Sequence, residues 1–176
     1  LKSIGLLVVM LLLTLPSFAL TGPGASWQYV RKLTLSPVIP SANFQMKVTL
    51  TTAALGNPYT NIKSDGSDLR FYDGNNNVCN YWIESWNNSG NSTIWVRVPT
   101  SGANAIYMFY GNSGASAVSN GANVFDFFDD FPGSSLAGNW ATETSSGTIG
   151  VSGGWVTLSN TNNGSNLTIS SAFTPS

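Results

Sequence analysis

The stretch that decides the fold is Tyr81–Pro99, YWIESWNNSGNSTIWVRVP. Two alternating runs flank a polar turn rich in Asn, Ser and Gly. Successive side chains of a strand point to opposite faces. Trp82, Glu84 and Trp86 are therefore expected on one face, with Tyr81, Ile83 and Ser85 on the other. In the return run Ile94, Val96 and Val98 share a face, and Trp95 and Arg97 take the opposite one. The aliphatic face must be buried. The other mixes indoles with charges, which is the composition of either a binding platform or a second, partly covered layer.

The same alternation recurs on both sides of this hairpin. Upstream, Trp27–Leu35 reads as a first strand. Asn43–Thr51 sends Phe44, Met46, Val48 and Leu50 inward and Gln45, Lys47 and Thr49 outward, the pattern of a half-buried antiparallel strand. Pro37 and Pro40 keep the loop between them out of any sheet interior. Thr52–Lys63 reads as a long connection, and Asp65-Gly66 as a turn. Asp68–Asp73 (DLRFYD) is a short strand, followed by a Gly74–Asn77 turn whose residues tolerate positive φ. Downstream, Asn104–Tyr110 alternates again. Gly153-Gly154 between Thr148–Ser152 and Trp155–Ser159 signals a hairpin, and Leu167–Phe173 reads as a last strand. Short strands at near-regular spacing, with no helical period after the first 19 residues, indicate an antiparallel sandwich or jelly roll.

Composition narrows the function classes. Charged residues make up 9% of the chain, against roughly 25% in ordinary soluble domains. The formal charge is −1, so nothing here tracks a phosphate backbone and no nucleic-acid partner is expected. Histidine is absent, which removes the commonest general base and metal ligand. Cys79 is the one cysteine. It is read as a small buried hydrophobe, with a reactive or interchain thiol as the alternative.

Residues 1–19, LKSIGLLVVMLLLTLPSFA, have the parts of a secretory signal. These are a basic Lys2, an apolar run Ile4–Leu15, a helix-breaking Pro16, and small residues before a cut expected after Ala19. The apolar core is shorter than the roughly 20 residues that span a bilayer. A membrane is therefore expected as a partner only through an uncleaved leader. The chain is expected to be secreted or held at the cell surface.

The expected organisation is a signal helix over 1–19, a mobile arm over 20–25 and a jelly-roll-like antiparallel β-sandwich over 26–117. A linker over 118–124 and an incomplete second β-sandwich over 125–176 follow. Four short strands in the last stretch are too few to bury a core alone. Further strands or domains are expected after residue 176.

The first unit resembles the bacterial and archaeal family catalogued as domain of unknown function 2341. The resemblance is carried by W-x-Y-x-R-K at Trp27–Lys32, DLRFYD at Asp68–Asp73, YWIESWN at Tyr81–Asn87, IWVRVP at Ile94–Pro99 and IYMFYGN at Ile106–Asn112. It implies a secreted or cell-surface β-sandwich module of multidomain proteins and no established activity. The second unit resembles the opening of a concanavalin A-like lectin or laminin-G-like sandwich, through FDDFPGSSLAGNW at Phe128–Trp140 and GGWVTLS at Gly153–Ser159. Such folds host both sugar binding and glycoside hydrolysis, so the resemblance alone names no function.

Three constellations carry chemistry. Trp82, Glu84, Trp86, Trp95 and Arg97, with Asp68, Arg70 and Tyr72 from the neighbouring strand, form a candidate ligand face. Indoles stack on sugar C–H faces while carboxylates and guanidinium groups bond hydroxyls. The same residues would also serve as cross-strand pairs and packing. Asp126, Asp129 and Asp130 are calcium candidates, although their spacing is not that of a recognised loop. A glycosidase pair is not assigned: adjacent Asp129 and Asp130 would point to opposite faces of a strand, and Glu84 with Asp68 or Asp73 is a possible pair that nothing in the sequence supports. Asn87, Asn91, Asn163 and Asn166 each begin an N-x-S/T sequon. These readings favour a non-catalytic module that binds polysaccharide or cell-surface glycan, or mediates adhesion. A structural module of a surface layer or filament, and the accessory front of a glycoside hydrolase, are the alternatives.

Overall fold

A computed structural model describes residues 20–52, 58–144, 147–160 and 167–171. The expected signal helix, part of the Thr52–Lys63 connection, and the sequons at Asn163 and Asn166 lie wholly or partly outside the described residues. The described residues are all-β apart from two single-turn 3-10 segments at Pro58–Thr60 and Gly121–Asn123. Among the described residues no helix is long and apolar enough to cross a membrane.

The first six strands are β1 (Tyr29–Thr34), β2 (Phe44–Leu50), β3 (Arg70–Asp73), β4 (Val78–Ser85), β5 (Ser92–Val98) and β6 (Ala105–Tyr110). They form one antiparallel sheet in the order β1-β6-β3-β4-β5-β2. The sheet curls over its own inner face. Val48 and Leu50 from one edge join Ile94, Val96, Val98, Tyr81, Phe71, Ile106 and Met108 in a single buried cluster, to which Leu33 of the opposite edge adds. Those inward residues are the apolar halves of the alternating runs, and burying each aliphatic side chain contributes about 1.5–3 kcal/mol. The loop after β1 closes one end of the curl. Leu35 and Ile39 donate their amides to the carbonyls of Asn104 and Ala103, at 2.8 and 2.9 Å.

Two buried carboxylates fix loops rather than face solvent. Asp73 accepts the amides of Asn75 and Asn77, both at 2.9 Å, the Asn77 side-chain amide at 3.0 Å, and the Thr100 hydroxyl. It thereby organises the Gly74–Asn77 turn. Burial alone would raise its pKa, but the hydrogen bonds from Thr100, Asn77 and Asn75 outweigh it and hold the carboxyl below its ordinary value. The second, Asp68, belongs with the site residues below.

The alternation of the opening hairpin is interrupted. β4 pairs Ile83 with Ile94 but Ser85 with Thr93, a β-bulge that inserts a residue. The extra residue turns Trp86 away from the face of Trp82. Trp86 packs against the buried cluster, meets Tyr59 edge-on at 5.3 Å and donates its indole N–H to the Ser64 carbonyl at 2.7 Å. Gly66 makes room for it. Its φ is +72°, and a side chain there would press on the Trp86 ring and Ile83.

Beyond β6, four further strands form two pairs. β7 (Trp140–Thr144) pairs with β10 (Leu167–Ser171), and β8 (Thr148–Ser152) pairs with β9 (Trp155–Ser159) through the Gly153-Gly154 turn. β7 is a strand that hydrophobic alternation does not mark.

Candidate functional site

The site grows from the outward face of β4 and β5. Trp82 lies opposite Trp95 in the register, and Asn80 opposite Arg97. The Trp95 indole donates to Glu84 Oε2 at 3.2 Å. β3 pairs with β4 only at Phe71–Cys79 and Tyr72–Val78. Past that point the free edge of β4 is taken by the chain that follows β6. Asn120 donates its amide to the Tyr81 carbonyl at 2.9 Å, and the Ser119 hydroxyl accepts the Ile83 amide at 2.8 Å.

This segment then crosses the outward face as a strap, Val124–Phe128 (VFDFF). Val124 is fully buried. Phe125 sits edge-on between Trp82 and Trp95, at 6.1 and 5.4 Å, and Phe128 meets Trp82 at 4.7 Å. Gly121 leaves room for the Phe128 ring, against which any side chain would collide. Arg97 fastens the strap, donating to the Val124 carbonyl at 3.3 Å and pairing with Asp126 at 2.9 Å. The indole face of the hairpin is thus largely a packing surface for residues 124–128.

Beyond the strap the chain turns through Asp129–Phe131, where Phe131 has a φ of +49° and the carboxylate of Asp129 anchors the turn. That carboxylate accepts the Phe131 amide at 2.8 Å and the Trp140 indole N–H at 2.7 Å. Phe127 and Phe131 pack on the same Trp140 ring, at 5.2 and 5.6 Å. The Gly153-Gly154 turn of β8–β9 comes up against the Asp130 backbone, where a side chain at Gly154 would touch the Asp130 carbonyl. Between this corner and the first sheet lies a cleft of about 620 Å3, walled by Trp82, Glu84, Asp130, Phe131 and Trp155. Trp155 is 76% exposed, the barest large apolar side chain among the described residues.

The sequence-based candidates therefore fall into separate places. Trp82 and Glu84 line the cleft. Trp95 and Arg97 lie beneath the strap, and Trp86 is on the inward side. Asp68 is fully buried and accepts the amides of Lys63, Gly111 and Asn112, at 3.0, 2.8 and 3.2 Å. Arg70 lies over the Trp27 ring at 5.1 Å and donates to the carbonyls of Ser67, Leu69 and Ser116. Tyr72 packs edge-on against Phe109. Asp126 is paired with Arg97 while Asp129 is held by Trp140, so these two calcium candidates serve different partners. Among the described residues no group of three or more metal-ligating side chains converges. Cys79 is 1% exposed, and burial with the nearby Asp73 charge pushes its thiol up to about 12. Trp155 is not among the candidates from sequence. It sits in a five-residue strand whose alternation gives no reason to prefer one face, and only the hairpin's docking beside Asp130 sets it on a cleft.

A wall of exposed indole with carboxylates beside it offers a stacking face and hydrogen-bond acceptors, the elements that hold a polyhydroxylated ring. Glu84 and Asp130 are both exposed. A glycosidase acid is kept protonated by burial, and among the described residues neither carboxylate is buried.

Residues 65–144 match the family described as Domain of unknown function (DUF2341). The match runs past residue 117 and takes in the strap, which packs on the sheet, and the Trp140 corner that follows it. No curated protein and no solved structure matches the chain.

Proposed function

We propose that this chain, whose residues 65–144 match the DUF2341 family, is an exported, non-catalytic module that binds carbohydrate at or outside the cell surface. The observation that carries the reading is Trp155, an indole 76% exposed on the wall of a 620 Å3 cleft that also holds Trp82, Glu84 and Asp130. Leaving an indole bare forgoes about 1.5–3 kcal/mol of burial, and a sugar's C–H face recovers that contact. The lectin-like opening at Phe128–Trp140 and the signal-like first 19 residues favour the same reading. The buried carboxylates Asp68 and Asp73 are each bound by backbone donors and serve folding.

A glycan array probed with the chain and with Trp155→Ala tests this. Binding to a set of glycans that the variant loses supports it. No glycan held, or equal binding by the variant, counts against it. The assembly reading keeps one observation in its favour. β1 and β2 are the end strands of the sheet, and Leu35, Val38, Phe44 and Met46 line an apolar groove of about 500 Å3 beside them. Concentration-dependent sedimentation without glycan binding would favour it.

A further inference from the structure

We infer that the cleft discriminates by charge, holding glycans that carry protonated amines more tightly than neutral ones and rejecting glycans that carry carboxylates. This rests on the carbohydrate reading of the same cleft. The wall contributes three carboxylates, Glu84, Asp129 and Asp130, and no lysine or arginine. Their hydrogen-bond donors do not cancel the charge. Glu84 is bonded by the Trp95 indole, and Asp129 by the Trp140 indole and the Phe131 amide, all neutral groups. Asp130 is exposed at the rim.

Two cations lie near, and neither serves the cleft. Arg97 is tied to Asp126 at 2.9 Å. Lys47 is exposed and stands opposite Trp95, which in turn stands opposite Trp82. That is two strand spacings, roughly 10 Å, beyond the Debye length of about 8 Å at physiological salt. An ammonium placed over the Trp155 face gains a cation–π contact as well as the carboxylates. Two exposed ion pairs together account for a preference of roughly three- to tenfold. A uronate meets three like charges and no compensating cation among the lining residues.

Affinity electrophoresis of the full chain tests this with three soluble polymers of one β-1,4-linked backbone: glycol chitosan, hydroxyethyl cellulose and carboxymethyl cellulose. Retention is expected in that order, with the last not held. Asp130→Asn is expected to lower the chitosan preference. Asp65→Asn removes an equal charge from an exposed turn outside the cleft and is expected to leave it unchanged. Trp155→Ala is expected to lower retention on every polymer that is held. Equal retention of the three polymers, or a preference lowered as much by Asp65→Asn as by Asp130→Asn, overturns the charge inference and leaves the carbohydrate reading standing. Retention of none of them overturns both.

Discussion

Replacing Phe125 by Ala tests whether the strap belongs to the folded unit. Phe125 is half-buried between Trp82 and Trp95 and stacks on Phe128 at 6.0 Å and 8°. A fully buried Phe→Ala change costs about 3–5 kcal/mol. Partial exposure trims that, while each lost aromatic pair adds about 0.5–1.5 kcal/mol. A loss of about 3 kcal/mol results, or roughly 6–12 °C in Tm at about 2–4 °C per kcal/mol. The strap also shields two indoles, so tryptophan emission shifts to the red in the folded variant. The assay is urea or thermal unfolding followed by fluorescence and far-UV circular dichroism together. A variant as stable as the parent, with unshifted emission, would mean that residues 124–128 do not cover the hairpin and that Trp82 and Trp95 form an open face.

Three further outcomes concern the buried groups. Asp73→Asn presents an amide to four donors and is expected to cost about 3 kcal/mol, since hydrogen bonds to a charged acceptor are each worth about 1.5–3. In the parent, the folded Asp73 pKa lies below the unfolded value, so its stabilisation is complete above about pH 4 and is lost as pH falls through the folded value. Acid titration of the variant is expected to be flatter there. The Cys79 thiol, buried and raised to about 12, is expected to stay unmodified by iodoacetamide at pH 8 until denaturant is added, as mass spectrometry would read. Gly66→Val strains a φ of +72° and pushes into Trp86, costing about 1–3 kcal/mol. Equal stability would show that Trp86 is not seated there.

The strands are legible wherever alternation is clean. Phe44–Leu50, Ser92–Val98 and Ala105–Tyr110 fall within a residue or so of the expected bounds, because one buried face fixes the period. The bulge between Ile83 and Ser85 is not legible. A single inserted residue leaves the local pattern intact and only reverses the facing of the residues after it. Trp86, expected beside Trp82, therefore packs on the opposite side. β7 escapes notice because its residues, WATET, carry no apolar alternation. It is held by pairing with β10, a partner distant in sequence. The role of the hairpin's indole face is open from sequence, since Trp, Glu and Arg suit a ligand and a covering layer equally. The aromatic run VFDFF supplies that layer, but nothing local says where it docks. The cleft is illegible for the same reason, being assembled from residues as far apart as Trp82 and Trp155.

The central claim, that the cleft beside Trp155 is the glycan site, is tested most directly by oxidising tryptophans with N-bromosuccinimide, with and without a bound glycan, and mapping the products by mass spectrometry. Without glycan, Trp155 is expected to react first, being 76% exposed while Trp27, Trp82, Trp86, Trp95 and Trp140 are each at least half-covered. With a saturating glycan, Trp155 is expected to be protected, together with Trp82 on the same cleft wall, and the other four unchanged. Protection of Trp27, Trp86, Trp95 or Trp140 instead, or oxidation of Trp155 at the same rate with the glycan bound, would contradict the account.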